Sequence, residues 1–383
     1  MIQFIWVAPQ RSTATPYKQS IARYVSYNHY GAYMPNQLTP GKLAGLQAIS
    51  NENGVIAALA LDQRGILRNA IAKAKQVEDV DASAVVEFKE LVTSVLTQYA
   101  SAILLDPEYG LSAASHRNAA GLLVAYERSC YDAAPPRLPI LYDLWSVRRV
   151  KEAGADCIKI LLHYTPFDQP EINDLKSAWV ERIGDECRAN DIPFVLELLG
   201  YDLHGREKGL EYAKIKPEIV ERSVAEFSKE RYGVDLLKIE IPVQMGCVAG
   251  TKFFSGEQAY AQPEAQRHFH AVAAATDKPF VYLSAGVTNA QFIDTLEFAA
   301  GCGSRFNGVL CGRATWQNGI AVYAQHGAKA LEDWLQTEGR ENIARVNDAL
   351  TGAQPWYKHF GIASPAAAKP SAPKQSSAEP ARA

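Results

Sequence analysis

Eight short apolar runs recur along the chain, and a segment with helical periodicity follows each of them. Such runs are typical of strands that are buried on both faces of a parallel sheet. The predicted strands span residues 55–62, 100–106, 138–143, 155–162, 193–199, 234–241, 280–284 and 307–311. Because strands and helices alternate throughout, the sequence predicts a single-domain α/β fold, a (β/α)8 TIM barrel.

A doubly wound open sheet is the competing fold. That fold normally has a glycine-rich turn after its first strand, whereas residues 62–65 of this chain read Asp-Gln-Arg-Gly. Helices are predicted at residues 42–49, 66–75, 82–98, 119–125, 147–153, 173–190, 216–231, 257–276, 289–301 and 322–350. The first of these helices is expected to cap the barrel.

The barrel is predicted to occupy residues 35–360. Residues 1–34 lack the apolar core and cleavage site of a signal peptide, and we expect them to be an extension upstream of a natural start at Met34, or a covering arm. Residues 361–383 are rich in Ala, Pro and Ser and cannot bury a core, so this tail is predicted to be disordered.

Composition narrows the class of protein. Hydrophobic residues make up 48% of the 383 residues and the formal net charge is −3, which favours a soluble enzyme over a nucleic-acid-binding protein. No apolar run approaches the roughly 20 residues that a membrane span needs. The six cysteines are far apart and are predicted to be reduced core residues of a cytoplasmic protein. The eight histidines show no metal-ligand spacing, so no metal and no other cofactor is predicted.

Three successive predicted strands each carry an ionisable residue inside an apolar run. They are Lys159, Glu197 and Lys238, and Glu240 is expected to share the face of Lys238. Neighbouring strands lie about 4.8 Å apart, so inward-pointing groups would meet. A structural network of buried ion pairs is one interpretation. Imine chemistry is the other, in which a neutral lysine attacks a carbonyl, a carboxylate moves protons and a second cation assists. Acids at the ends of the first three strands favour catalysis.

The last two predicted strands end in small residues. Ser284-Ala-Gly286 and Cys311-Gly-Arg313 offer backbone N–H groups and one guanidinium at the place where barrels commonly bind phosphate. A surface ion pair is the alternative for Arg313. Gln63 and Arg64, across the mouth, are candidates for a second anionic end, although Arg64 has the alternative of facing solvent.

Six motifs, at residues 60–65, 102–111, 183–188, 227–238, 282–287 and 306–316, carry a resemblance to a known family. They closely resemble tagatose 1,6-bisphosphate aldolase, and the similarity covers roughly residues 38–356. The resemblance implies a class I, metal-independent aldolase of lactose and galactose catabolism. Its substrate would be D-tagatose 1,6-bisphosphate, and its products dihydroxyacetone phosphate and D-glyceraldehyde 3-phosphate.

The resemblance also implies roles for individual residues. The imine lysine falls on Lys238, the acid/base glutamate on Glu197 and a lysine that touches substrate on Lys159. The residues expected to contact substrate oxygens and phosphates are Asp62, Gln63, Ser284, Gly286, Gly312 and Arg313. The expected partner is a small-molecule sugar bisphosphate, without nucleic acid or membrane, and with assembly into a homo-oligomer left open.

Two alternatives remain open at this point. A sister family with the same barrel cleaves a sulfonated ketose phosphate, 6-deoxy-6-sulfofructose 1-phosphate. Residues 198–200 read Leu-Leu-Gly where Ile-Leu-Thr is common in the tagatose family, a difference that would alter specificity without touching the imine step. The second alternative is a non-catalytic sugar-phosphate sensor, against which the presence of both Lys238 and Glu197 speaks.

Overall fold

The computed structural model of the protein describes residues 38–128, 135–205, 207 and 209–363. Within these residues, eight parallel strands pair in chain order and the last pairs with the first, which closes a barrel. The strands are β1 (Ile56–Ala60), β2 (Ala102–Leu105), β3 (Gly121–Ala125), β4 (Cys157–Tyr164), β5 (Phe194–Gly200), β6 (Leu236–Ile239), β7 (Phe280–Leu283) and β8 (Gly308–Cys311). The predicted (β/α)8 barrel is confirmed.

Helices connect the strands and complete the fold. They are α1 (Pro40–Ala48), α2 (Gly65–Lys75), α3 (Ala82–Leu96), α4 (Val147–Glu152), α5 (Pro170–Ala189), α6 (Leu210–Phe227), α7 (Gln262–Ala274), α8 (Asn289–Gly301), α9 (Arg313–Trp316), α10 (Gly319–Trp334) and α11 (Arg340–Asp348). A short parallel pair, Val248–Ala249 with Tyr260–Ala261, lies in the connection between β6 and α7. The predicted helix 257–276 therefore begins later, at Gln262, because part of that stretch is extended.

The third strand is the main correction to the sequence-based prediction. Residues 138–143 were predicted as this strand and 119–125 as a helix, and both predictions are wrong. The strand is Gly121–Ala125, whose residues are all buried and which pairs with β2 and β4. A short apolar run cannot be assigned to helix or strand by periodicity alone. The segment 138–143 contains Pro139, which a central strand disfavours, and it contributes a single antiparallel bridge from Leu141 to Glu127.

The N-terminal end of the barrel is closed by α1. The inward side chains of the strands form one cluster with Leu46 and Ile49 at the end of this helix and with Trp356. Lys42 of α1 is also ion-paired with Asp235, just before β6, at 2.7 Å. The predicted capping helix is therefore confirmed. Because this end is filled, polar side chains inside the barrel gather at the C-terminal ends of the strands.

Some predictions fall on parts of the chain outside the described residues. They concern the extension at 1–34, nearly all of the tail at 361–383, and Cys130, so the domain boundaries stay predictions. The other five cysteines are unpaired and buried. In the part of the chain that the structure describes, no helix combines the length and the apolar character needed to cross a membrane.

Candidate active site

The side chains of Lys159, Glu197 and Lys238 point into the barrel because of strand alternation. Each lies two residues after an inward-facing core residue on its own strand. The register places Glu197 of β5 directly beside Lys238 of β6, and Lys159 beside Val195 of β5. All three side chains are buried.

The Glu197 carboxylate contacts both lysines through the same oxygen. Its Oε2 lies 2.8 Å from Lys159 Nζ and 2.9 Å from Lys238 Nζ. The two lysines and the glutamate therefore form one contiguous group inside the barrel, as the sequence predicted. Their catalytic roles stay a prediction at this stage.

The two lysines differ in the number of carboxylates around them. Lys159 Nζ also lies 2.7 Å from Asp62 Oδ2 and 3.1 Å from Glu127 Oε1, so three carboxylates surround it. Within the described residues, Lys238 is ion-paired with Glu197 alone. Three carboxylates therefore stabilise the positive charge of Lys159, whereas a single carboxylate contacts Lys238.

Asp62 lies just beyond β1, on the inward face that Ala58 and Ala60 share. Burial by itself would raise the pKa of this carboxyl, but Lys159, Lys238 and Arg64 outweigh the burial and hold the pKa well below its usual range. Asp62 is therefore ionised at neutral pH. Its fixed negative charge helps to keep Lys159 in the ammonium form.

Glu127 is a site residue that the sequence analysis missed. It follows β3 on the same inward face as Leu123 and Ala125, and its carboxylate contacts Lys159. The signal was present, since an acid follows this apolar run as Asp62 and Asp106 follow theirs. It was overlooked because the third strand was misplaced, which put Asp143 at the end of that strand. The side chain of Asp143 is 85% exposed, so it belongs to the surface.

Arg64 is buried, so the alternative that it faces solvent is wrong. Its Nη2 lies 3.6 Å from Glu127 Oε1, and its Nε lies 3.8 Å from Asp106 Oδ1. The centroid of the Tyr142 ring lies 5.2 Å from Arg64 Cζ. Asp106 is in turn paired with Lys89 of α3, which also donates to the Leu61 carbonyl at 2.8 Å. Arg64, Asp106 and Lys89 thus form a chain of buried ion pairs behind Glu127, and this chain fixes the position of the Glu127 carboxylate.

Gln63 lies at the same edge of the mouth as Asp62 and Arg64. Its side chain is half-buried, and its Oε1 is buried without a hydrogen-bond partner among the described residues. A buried amide oxygen that lacks a partner is unfavourable, so it is available to a bound molecule. Its predicted contact with substrate stays a prediction.

The turns after β7 and β8 approach each other closely, and because β8 pairs with β1 they lie next to Gln63, so the prediction that Gln63 lies across the mouth from them is wrong. Gly286 has φ 79°, and a Cβ at this position would lie 2.8 Å from Arg313 Cζ. A Cβ on Gly312 would lie 2.7 Å from the Ala60 carbonyl oxygen. A side chain is therefore strained at Gly286 by its positive φ and excluded at Gly312 by the Ala60 backbone, and the Arg313 guanidinium lies against the backbone of Gly286. Ser284, at the end of β7, is buried beside them.

Arg313 itself is half-buried at the start of α9. Among the described residues, no carboxylate lies within ion-pair distance of Arg313. The alternative interpretation, a surface ion pair, is therefore not supported by the described part of the chain. An arginine held against a glycine turn with free donors suits an anionic ligand.

The family of the chain follows from comparison with known proteins. A family model described as "DeoC/LacD family aldolase" matches residues 56–318, a stretch that contains all eight barrel strands. The chain belongs to the DeoC/LacD aldolase family. Every ionisable residue of the interior group lies inside the matched segment.

Curated relatives of this DeoC/LacD aldolase are similar over nearly their whole length. The chain is 52% identical over 324 residues to tagatose 1,6-diphosphate aldolase 2 of Enterococcus faecalis, covering 84% of the chain and 97% of that protein. It is 51% identical over 329 residues to a tagatose 1,6-diphosphate aldolase of Listeria monocytogenes, covering 85% and 96%. A Staphylococcus haemolyticus protein of the same name is 48% identical, covering 82% and 97%.

A solved structure shares the fold. Fructose-bisphosphate aldolase from Plasmodium falciparum aligns with a TM-score of 0.59 at 13% identity, covering 82% of this chain and 98% of that one. At this identity the likeness concerns the fold alone.

Two further polar residues, Glu240 and His163, lie close to the C-terminal ends of β6 and β4. Glu240 was expected on the face of Lys238, but β6 ends at Ile239, and Glu240 instead pairs with Lys216 of α6 at 3.1 Å. That expectation is wrong because the strand alternation stops before this residue. His163, near the end of β4, is buried; burial lowers its pKa to about 3, so the imidazole is neutral.

The described residues of this aldolase contain no group of three His, Cys, Asp or Glu side chains placed to hold a metal ion. The interior instead pairs each carboxylate with lysine or arginine. Metal-independent chemistry stays a prediction that a chelator tests.

Proposed function

We propose that this aldolase cleaves D-tagatose 1,6-bisphosphate to dihydroxyacetone phosphate and D-glyceraldehyde 3-phosphate through an imine on Lys238. The observation that carries the proposal is the unequal pairing of the two interior lysines, with one carboxylate on Lys238 and three on Lys159. The names of the curated relatives, all tagatose 1,6-diphosphate aldolases, support the substrate.

Imine formation needs a neutral amine and a source of protons. Lys159 and Lys238 contact the same Glu197 oxygen, so a carboxylate that can carry a proton lies directly beside the attacking amine. Lys238 Nζ attacks the C2 carbonyl of the open-chain ketose. Glu197 holds the proton that Lys238 releases before its attack, and the carbinolamine loses water when Glu197 delivers this proton to the departing hydroxyl. The product is a protonated imine, which is an electron sink at C2.

Carbon–carbon cleavage needs a base for the C4 hydroxyl. Glu197 Oε2 lies 2.9 Å from Lys238 Nζ, so its carboxylate is placed to reach substrate atoms close to the imine. As Glu197 takes the C4 hydroxyl proton, the C3–C4 bond breaks and its electron pair moves into the imine to give an enamine. Glyceraldehyde 3-phosphate leaves. Protonation of the enamine at C3 and hydrolysis of the imine then release dihydroxyacetone phosphate and regenerate Lys238.

We infer that the 1-phosphate binds between the turns after β7 and β8. Arg313 supplies charge, and Ser284 and the backbone of Gly286 and Gly312 supply neutral donors. The positive φ of Gly286 and the close packing at Gly312 keep both positions without a side chain, which supports this assignment because a phosphate needs direct access to the backbone. Asp62, Gln63 and Lys159 are proposed to contact the sugar hydroxyls.

The proposed setting is cytoplasmic carbohydrate catabolism. The buried, unpaired cysteines of the described residues suit a reducing compartment, and the named relatives act on a sugar bisphosphate. Assembly into a homo-oligomer is part of the proposal that gel filtration with light scattering would settle.

Turnover with three substrates tests the proposed function. We expect kcat/KM for D-tagatose 1,6-bisphosphate to equal or exceed that for D-fructose 1,6-bisphosphate, and to exceed that for 6-deoxy-6-sulfofructose 1-phosphate by about tenfold or more. EDTA should leave the rates unchanged. A preference for the sulfonated sugar would assign the enzyme to the sister activity. Binding without cleavage of any of the three would mean that the protein is a sensor.

Replacing Arg313 with alanine is expected to raise KM for the bisphosphate by about 10- to 100-fold. The change removes charge-assisted hydrogen bonds to a phosphate, an interaction typically worth roughly 1.5–3 kcal/mol. Steady-state kinetics on purified variants measures the effect. Arg305→Ala is the matched control, because Arg305 is an exposed arginine that precedes β8, at the opposite end of this strand. An unchanged KM in a folded Arg313→Ala enzyme would remove Arg313 from the phosphate site.

A further inference from the structure

Glu127 has one carboxyl oxygen that the protein itself does not use. Oε1 accepts a hydrogen bond from Lys159 Nζ at 3.1 Å and lies 3.6 Å from Arg64 Nη2. Oε2 is buried and has no hydrogen-bond partner among the described residues. A buried oxygen without a partner is costly, and such atoms in native structures require an explanation. The residue is only 3% exposed, so bulk water is not the explanation.

The position of Glu127 on the barrel wall shows which part of a substrate it faces. The proposed 1-phosphate site lies after β7 and β8, the imine lysine is on β6, the acid/base glutamate on β5 and Lys159 on β4. Glu127 follows β3 and is the next inward group in this order. The strands are therefore arranged in the order of the substrate's atoms, from the 1-phosphate through C2 to the C4 hydroxyl. The carbon that comes next is C5.

The chemistry of this part of the wall favours a neutral hydroxyl as the ligand. Asp62 and Glu127 both bring carboxyl groups to Lys159, so a phosphate dianion placed directly against Glu127 would be repelled. Burial raises the pKa of Glu127, although Lys159 and Arg64 oppose the rise. A hydroxyl can donate to the ionised carboxylate or accept from the protonated acid, so it pairs with either form.

We propose that Glu127 determines specificity by binding the C5 hydroxyl of the ketose bisphosphate through its free oxygen Oε2. This inference rests on the proposed function, because that function sets the direction of the substrate along the barrel wall. Glu127 thus has two tasks: Oε1 holds Lys159 and Arg64, and Oε2 selects the hydroxyl.

The condensation direction isolates this contact. The C5 hydroxyl of the product is the C2 hydroxyl of glyceraldehyde 3-phosphate, and 3-oxopropyl phosphate is the same aldehyde without it. With dihydroxyacetone phosphate as the donor, we expect the wild-type enzyme to prefer glyceraldehyde 3-phosphate by about 10- to 100-fold in kcat/KM, the range for a hydrogen bond to a charged group. In Glu127→Ala the preference should fall to within about threefold of unity.

The ratio of kcat/KM for the two aldehydes distinguishes recognition of the hydroxyl by Glu127 from a purely structural role of this residue. Loss of the Lys159 contact would slow both aldehydes alike and cancel in the ratio. Glu127→Gln keeps the shape and a neutral hydrogen bond, so it should retain an intermediate preference, and it decides the matter if the alanine variant does not fold. Glu240→Gln is the matched control, since this strand-end glutamate pairs with Lys216 outside the barrel interior. Its preference should equal that of the wild type.

Two outcomes would overturn the assignment. One is a wild-type enzyme that does not distinguish the aldehydes. The other is a set of Glu127 variants that lose rate equally with both. Either would leave the proposed function standing, because condensation would still occur. If the wild-type enzyme forms no ketose bisphosphate from dihydroxyacetone phosphate and glyceraldehyde 3-phosphate, the proposed function itself fails.

Discussion

Replacing Lys238 with methionine is expected to lower kcat for bisphosphate cleavage by at least about 10⁴-fold. Methionine has a similar length and fills the buried space, but it has no amine with which to form an imine. Without the imine, the electrons of the C3–C4 bond have no sink at C2. Stopped and continuous assays of product formation measure the loss, and circular dichroism checks that the fold is intact.

Borohydride trapping identifies the lysine directly. Reduction in the presence of dihydroxyacetone phosphate should inactivate the enzyme and add the mass of the reduced adduct to the peptide that contains Lys238. Lys216→Met is the matched control. Lys216 is a buried lysine on α6 that pairs with Glu240, outside the barrel interior. That variant should be trapped as the wild type is. A label on Lys159 would contradict the assignment and the argument from carboxylate pairing.

Glu197→Gln is expected to lower kcat by about 10²–10⁴-fold while KM changes little. The amide keeps the shape of the side chain and its oxygen can still contact both lysines, so substrate binding should survive. It cannot take the proton from the C4 hydroxyl. Imine formation also needs proton transfer, so borohydride trapping of this variant should be slower than that of the wild type.

Glu186→Gln provides the control for loss of a carboxylate elsewhere. Glu186 lies on α5, away from the interior group, and its side chain accepts a hydrogen bond from the Val147 amide at 2.9 Å. Glutamine can accept this bond too, so kcat should remain at the wild-type level. If Glu197→Gln also kept nearly the wild-type kcat, Glu197 would serve only to balance the lysine charges. Asp62, which is ionised and paired with Lys159, would then be the first candidate for the base.

Much of this site could be predicted from sequence because it depends on local rules. A lysine or glutamate inside an apolar strand points either into the barrel or away from it, and alternation with core residues indicates which. Lys159, Glu197 and Lys238 follow this rule and meet as expected. The same rule failed at Glu240, where β6 had already ended. Strand ends depend on pairing with neighbouring strands, which a local pattern does not show.

The sequence by itself determined the alternation of strands and helices, and with it the barrel and the three ionisable groups inside it. Only the tertiary structure decided that residues 121–125, and not 138–143, form the third strand. Both segments are short and apolar, and the choice depends on hydrogen bonds with β2 and β4. That choice brings Glu127 into the site. Lys159 thereby gains carboxylates from Asp62 and Glu127, residues distant in the chain, and Lys238 does not. The difference between the two lysines therefore arises from long-range contacts, because electrostatic environment depends on distance in space and not on neighbours in sequence.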